Sequence, residues 1–204
     1  MNKGRQIGSR NSLRLNLGLA TLLLFYLNPV YAQEQWPFSF FLHTGAAIDR
    51  NAPLVQILRL SIPNIESFYQ TTGGVDFQFW RSHSFALESE LSFTQYYEGL
   101  NRVAGQATFV LRLYDSPWFK VIPGSFAFGN GLSYASVAPE VEELALGRTS
   151  RLLYHLFIEF EFTLKKKTPW SAFVRVHHRS GIFGLFDGVT GGSDYLCLGI
   201  RYRP

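Results

Sequence analysis

The sequence is poor in cysteine and in charged residues. Its one cysteine, Cys197, cannot form an intramolecular disulfide, which excludes a small secreted domain built on a disulfide framework. Charged residues make up 17% of the chain, whereas about a quarter is usual for a soluble domain. Aromatic residues, at 16%, are abundant. This composition favours a protein with a large apolar surface.

Beyond residue 32, no apolar run is long enough for a transmembrane helix, which needs about 20 residues. The first 14 residues carry four basic side chains and no acid, and a mainly apolar run follows over 15–27. Val30 and Ala32 then provide small side chains at −3 and −1. This order is typical of a secretory signal, so we predict a cleavable signal peptide over 1–32 and a mature chain from Gln33. The alternative is a retained N-terminal anchor.

The predicted cleavage also removes the excess of basic charge. The full chain has 19 basic and 15 acidic residues, and 15 of each remain without the signal. A neutral chain gives no argument for nucleic-acid binding, which depends on neutralising phosphates. No repeat or linker divides residues 33–204, so we expect one domain there.

Apolar and polar residues alternate with a period of two over eight segments of roughly ten residues, as in membrane barrels. We therefore predict an all-β fold, an antiparallel eight-stranded transmembrane β-barrel of the bacterial outer membrane. The predicted strands cover 38–47, 68–80, 84–97, 103–113, 121–132, 151–164, 170–179 and 194–203. Residues 54–62 could form a ninth strand, but even strand numbers are the bacterial rule, so we assign them to a long first loop.

The polar face of these strands collects both acids and arginines. A soluble sandwich would bury its apolar face, whereas a barrel in lipid exposes that face and encloses its charges. Unpaired charges in a narrow interior are costly, so we predict a hydrogen-bonded network in the lumen. Its members are Asp76, Glu88, Glu90, Glu159, Glu161, Arg112, Arg175 and Arg201.

The connections predict the orientation of the barrel. Most connections alternate between long and short, which places the longer ones outside and both termini in the periplasm. Trp36, Trp80, Trp118 and Trp170 would then lie at the periplasmic rim, as interfacial indoles do. Within the loop 133–150, Pro139 and Gly147 bracket a predicted short helix. We expect its acids, Glu140, Glu142 and Glu143, to form a solvated face.

The candidate chemistry lies at the outer ends of strands seven and eight. Alternation puts His178, Ser180 and Asp194 on the outward, apolar face. A hydroxyl, a base and an acid are the parts needed for nucleophilic ester hydrolysis. The alternative is a histidine and a serine without a role at a fraying strand end. Because His177 and His178 face opposite sides, they do not form a metal site.

The order His178-Arg179-Ser180, a loop, an acid and a final strand resembles the lipid A 3-O-deacylase family, the PagL-like barrels. Residues 131–134, Pro139, Glu142 and the stretch from 152–154 to 160–161 are also similar to sequences grouped near that family. The resemblance implies that His178 is the base, Ser180 the nucleophile and Asp194 the orienting acid, with an external site and no cofactor. The family usually has Asn at the position of Gly181 and Glu at that of Asp194.

The sequence therefore predicts an esterase that removes an acyl chain from lipid A. The alternatives are a non-catalytic structural or adhesive barrel, and a lipid A palmitoyltransferase-like barrel. The expected partners are lipopolysaccharide and membrane lipid, with no nucleic acid, and the sequence leaves a homodimer open. A solute pore is disfavoured, because side chains fill an eight-stranded barrel. The apolar loop 181–192 would either contact acyl chains, cover a substrate or form a flexible external loop.

Overall fold

A computed structural model describes residues 36–48, 65–98, 100–114, 119, 123–163 and 168–204. These residues form eight strands and one helix. The strands are β1 (Phe38–Ile48), β2 (Ile65–Arg81), β3 (Phe85–Glu98), β4 (Leu100–Leu113), β5 (Gly124–Ala135), β6 (Leu152–Thr163), β7 (Trp170–Ser180) and β8 (Gly192–Tyr202). The helix α1 (Glu140–Leu146) lies between β5 and β6.

The strands form one closed antiparallel barrel in which each strand pairs with the next and β8 returns to β1. The closing ladder pairs Phe40 with Tyr202 and Ala47 with Tyr195. The predicted eight-stranded antiparallel barrel is thus confirmed, and closure leaves no unpaired sheet edge. Among the described residues, no helix is long and apolar enough to cross a bilayer.

All strand boundaries agree with the prediction within three residues. β5 is displaced at both ends, because it begins and ends three residues later than predicted and runs over Gly124–Ala135. The reason is its pairing with β6, because Tyr134 and Ser133 face Leu152 and Leu153 in the ladder. The predicted signal peptide over 1–32 and the segment 54–62 lie outside the described residues.

The outer wall of the barrel is apolar. Leu91 and Leu198, for example, keep 61% and 66% of their surface exposed. They belong to a belt of exposed side chains that also includes Phe40, Leu42, Phe93, Phe109, Leu132, Phe160 and Ile200. An apolar exterior on a closed sheet is the arrangement of a barrel that spans a membrane.

The lumen contains the predicted charge network. Arg112 donates to Glu88, Glu159 and Glu161, at 2.9 to 3.1 Å. Arg175 bonds to Glu90 and Glu159, each at 2.7 Å. Arg201 bonds to Asp76 at 3.0 Å, to Glu159 at 2.5 Å and to Glu161 at 2.8 Å. The network is confirmed, and its members fill the lumen with paired charges.

The two ends of the barrel differ. The terminal rim, where β1 begins and β8 ends, has a three-residue turn between β2 and β3. Trp36, Trp80 and Trp170 all lie at this rim, as predicted, and Trp118 is outside the described residues. The opposite end of the barrel, called the helix rim below, carries α1 and the 181–191 loop between β7 and β8. The helix ends at Gly147, whose φ of 63° is the left-handed value typical of a helix C-cap.

Candidate functional site

The side chains of His178 and Asp194 meet on the outer wall at the helix rim. These residues are directly opposite each other in the β7–β8 ladder. The Nδ1 atom of His178 lies 2.8 Å from Oδ1 of Asp194. The pair is partly exposed, with 22% of the His178 side chain and 16% of the Asp194 side chain accessible. The structure thus brings two of the three predicted site residues into contact.

The contact selects one form of the imidazole. An ionised carboxylate only accepts hydrogen bonds, so this contact with an ionised Asp194 requires the hydrogen on Nδ1 of His178. In neutral imidazole the second nitrogen, Nε2, is then an acceptor. This is the tautomer that a general base needs, because a carboxylate at Nδ1 orients the ring while Nε2 takes the proton.

Ser180 shares the outward direction of His178, two residues along β7. In the ladders it lies opposite Gly192 of β8 and Tyr154 of β6. No hydrogen bond joins Ser180 to His178 within the described part of the chain. Alternate residues of a strand are about 6–7 Å apart, so contact requires the two side chains to lean together. Catalytic hydrogen bonds are often long or poorly aligned without substrate and tighten when it binds.

His177 points into the lumen, opposite to His178. Its ring packs 4.5 Å from that of His155 and 6.2 Å from that of His43, measured between centroids. All three rings are buried. In the described residues, no group of three or more His, Cys, Asp or Glu side chains is placed to hold a metal ion. The predicted opposite orientations of His177 and His178 are confirmed.

Glu142 lies in a different environment from the one that the sequence predicts. The prediction that it belongs to a solvated face is wrong, because α1 turns this carboxylate into the barrel mouth, where it is fully buried. Arg179 lies 2.5 Å away, and Ser193 donates to the other oxygen at 2.9 Å. The alternation that turns His178 outward turns its neighbour Arg179 into the lumen. An arginine there without an assigned acid partner was the signal that could have identified Glu142.

The loop after Ser180 has a defined backbone. Phe186 N–H donates to the carbonyl of Gly181 at 3.1 Å, and Gly184 N–H donates to that of Val189 at 2.9 Å. Ile182 and Phe183 have φ values of 45° and 51°, a left-handed conformation that is costly for a β-branched residue such as isoleucine. The loop holds Phe183 outward, with 95% of its surface exposed. The loop that follows Ser180 is therefore compact and presents apolar side chains on its surface.

Gly181 is required by this loop. A Cβ atom at this position would meet the backbone oxygen and the Cβ of Val189, which is buried. The asparagine that the resemblance suggests does not fit without moving the loop.

Two arginines at the helix rim are not engaged by carboxylates among the described residues. The Arg151 guanidinium lies 4.9 Å from the centre of the Tyr134 ring, and its Nε donates to the carbonyl of Ala135 at 3.0 Å. Arg148 is exposed and lies beside Gly188 of the 181–191 loop. Both cations are therefore available to an anionic group near the candidate site.

A closed antiparallel barrel with an apolar wall and a charged lumen defines the class of this molecule as a small transmembrane β-barrel. No family model matches the chain, and no curated protein matches it.

Solved structures give distant likenesses. The N-terminal barrel domain of Pseudomonas aeruginosa OprF is 9% identical, with a TM-score of 0.47, and covers 83% of this chain and 99% of its own. Neisserial surface protein A is 11% identical, with a TM-score of 0.43, over 82% of this chain and 96% of its own. A de novo designed transmembrane β-barrel is 9% identical, with a TM-score of 0.47, over 84% and 98%.

Proposed function

We propose that this protein is an outer-membrane esterase that removes an ester-linked acyl chain from lipid A. The observation that carries the proposal is the hydrogen bond between His178 and Asp194 on the outer wall, two residues from Ser180. A histidine held by a carboxylate beside a hydroxyl is the arrangement used for acyl transfer to water. An outward site at a barrel rim would meet its substrate in the membrane.

In the proposed reaction, Ser180 Oγ attacks the carbonyl carbon of the ester, and Nε2 of His178 takes its proton. The tetrahedral intermediate collapses, and the sugar oxygen leaves with the proton returned by His178. Water then attacks the acyl-serine with His178 again as the base, which releases the fatty acid and restores Ser180. Asp194 stabilises the imidazolium in both steps. The reaction requires no cofactor.

The surroundings of the site are consistent with a lipid that carries phosphate. Phe183 and Leu185 are exposed on the loop that follows Ser180 and offer apolar contacts for an acyl chain. Arg148 and Arg151 lie at the same rim, and guanidinium groups bind phosphate oxygens with two parallel hydrogen bonds. Lipid A combines both features, because it has acyl esters and phosphates on one sugar headgroup.

The alternative is a non-catalytic structural or adhesive barrel. The lack of a hydrogen bond between Ser180 and His178 in the described part of the chain favours it. Mass spectrometry of lipid A from matched cells that express wild-type protein, Ser180→Ala or no protein separates the two functions. We expect lipid A lighter by one acyl chain with wild type only. Unchanged lipid A in all three samples would support the structural barrel.

A further inference from the structure

The helix rim contains a buried contact directly behind the candidate site. Glu142 of α1 bonds to Arg179 and Ser193, which are opposite each other in the β7–β8 ladder. Arg179 lies between His178 and Ser180 in the chain, and Ser193 precedes Asp194. The Glu142 carboxylate in the lumen therefore links β7 and β8 at the positions next to His178 and Asp194, whose side chains lie on the outer face.

We infer that Glu142 is a positioning residue for the proposed catalytic site, an inference that rests on the proposed function. Side chains alternate along a strand. Because Arg179 and Ser193 are held pointing into the lumen, their neighbours His178 and Asp194 are held pointing outward. Strand ends otherwise fray, and these two strands end at Ser180 and begin at Gly192. Glu142 thereby maintains the spacing between His178 and Asp194.

The contact is specific enough for this role. Oε2 of Glu142 accepts from Arg179 and from Thr149, each at 2.5 Å, and Oε1 accepts from Ser193 at 2.9 Å. The remaining nitrogens of Arg179 donate to Ser133 Oγ at 3.2 Å and to the carbonyls of Ser150 and Arg151, at 2.8 and 2.7 Å. Both charges are fully buried, and each nitrogen of the guanidinium and each oxygen of the carboxylate has a hydrogen-bond partner, which favours one geometry for the pair.

Apolar packing holds the helix α1 in the barrel mouth. Val141 is buried and packs in a cluster at the barrel mouth with Tyr96, Tyr195 and Cys197. Glu143, the next residue after Glu142, instead has an exposed side chain whose Oε2 lies 3.7 Å from Arg102. Glu143→Gln is therefore a matched control for Glu142→Gln, because it removes the same charge from the same helix without touching β7 or β8.

The test uses the full-length barrel in detergent micelles with lipid A as substrate. Glu142→Gln should lower kcat by about tenfold to hundredfold, because small misplacements of reacting groups are costly, while KM stays within about twofold. Ser193→Ala should lower kcat less, and Glu143→Gln should leave kcat and KM unchanged. Heat-modifiable migration on SDS gels verifies that each variant remains a folded barrel.

A second measurement does not depend on activity. The 1H–15N signals of the His178 imidazole report its hydrogen bond to Asp194, and we expect them to broaden or move in Glu142→Gln but not in Glu143→Gln. If the wild-type protein has no deacylase activity, a change of the His178 signals in Glu142→Gln still supports the positioning role of Glu142. Only the proposed function is then wrong. Unchanged signals and unchanged kcat in folded Glu142→Gln would overturn the inference. If Glu142→Gln does not fold, Ser193→Ala replaces it, and unchanged His178 signals with unchanged kcat in that variant would overturn the inference.

Discussion

His178 and Asp194 are opposite each other on neighbouring strands, and a 2.8 Å hydrogen bond joins their side chains on the outer wall of the barrel. This contact requires two strands that meet in one register, since a slip of one residue would turn one of the two side chains toward the lumen. It occurs beside a serine with the same outward direction. The proposed esterase depends on these three residues.

Ser180→Ala should abolish deacylation while the barrel still folds, because a rim hydroxyl contributes little to stability. His178→Asn should act similarly, since the hydroxyl is a poor nucleophile without a base. We expect losses of about 10⁴-fold or more in kcat, measured by fatty-acid release from lipid A. His177→Asn is the control, because His177 faces the lumen, and its activity should stay within about threefold. Equal tolerance at 177, 178 and 180 would contradict the enzyme proposal.

Asp194→Asn should reduce kcat by about 10²- to 10⁴-fold, less than loss of the nucleophile or the base. The amide loses the negative charge that stabilises the imidazolium, although water at the partly exposed pair supplies some of that stabilisation. Asp194→Glu should recover part of the rate, because it restores the charge. The same fatty-acid assay checks both variants, and full activity of Asp194→Asn would show that the hydrogen bond has only a structural role.

Gly181→Asn should lower activity by about tenfold or more, because its Cβ would displace the loop beside Ser180. Limited proteolysis should show faster cleavage within 182–188 in the variant. Gly105→Ala is the control, because a Cβ there meets nothing within 4 Å. An unaltered loop and full activity in Gly181→Asn would contradict the steric argument.

Arg175→Met should destabilise the barrel by about 3–5 kcal/mol, since it leaves two buried carboxylates, Glu90 and Glu159, without this partner. Urea unfolding of protein refolded into lipid vesicles measures the difference. Arg148→Gln, at an exposed position, should change the free energy of unfolding by no more than about 0.5 kcal/mol. Equal stability of the two variants would show that the lumen network is not needed for folding.

Replacing both Arg148 and Arg151 by Gln should raise KM for lipid A about tenfold, if each exposed contact to phosphate contributes up to about 1 kcal/mol. Dephosphorylated lipid A should show no difference between wild type and the double variant. Arg81→Gln is a matched control, because Arg81 lies over the Tyr114 ring as Arg151 lies over Tyr134. A tenfold effect that persists with dephosphorylated lipid A would exclude phosphate as the group recognised.

The period of two in the sequence was sufficient to assign the faces of the strands. It placed Arg175 and Glu159 in the lumen and His178, Ser180 and Asp194 outside, as the structure has them. It also placed His177 and His178 on opposite sides of the barrel wall. These assignments succeeded because successive side chains of an extended backbone must leave on opposite sides, whatever the strand pairs with.

Other features depended on contacts between distant parts of the chain. The sequence placed Asp194 near β7 but could not set it opposite His178, because hydrogen bonds along the β7–β8 ladder fix the register. The burial of Glu142 depended on the packing of α1 into the barrel mouth, where Arg179 and Ser193 receive its carboxylate. The sequence alone thus determined which side of the wall most residues face. Only the closed barrel decided which of them meet, since alternation is a property of a single strand and contact is a property of two.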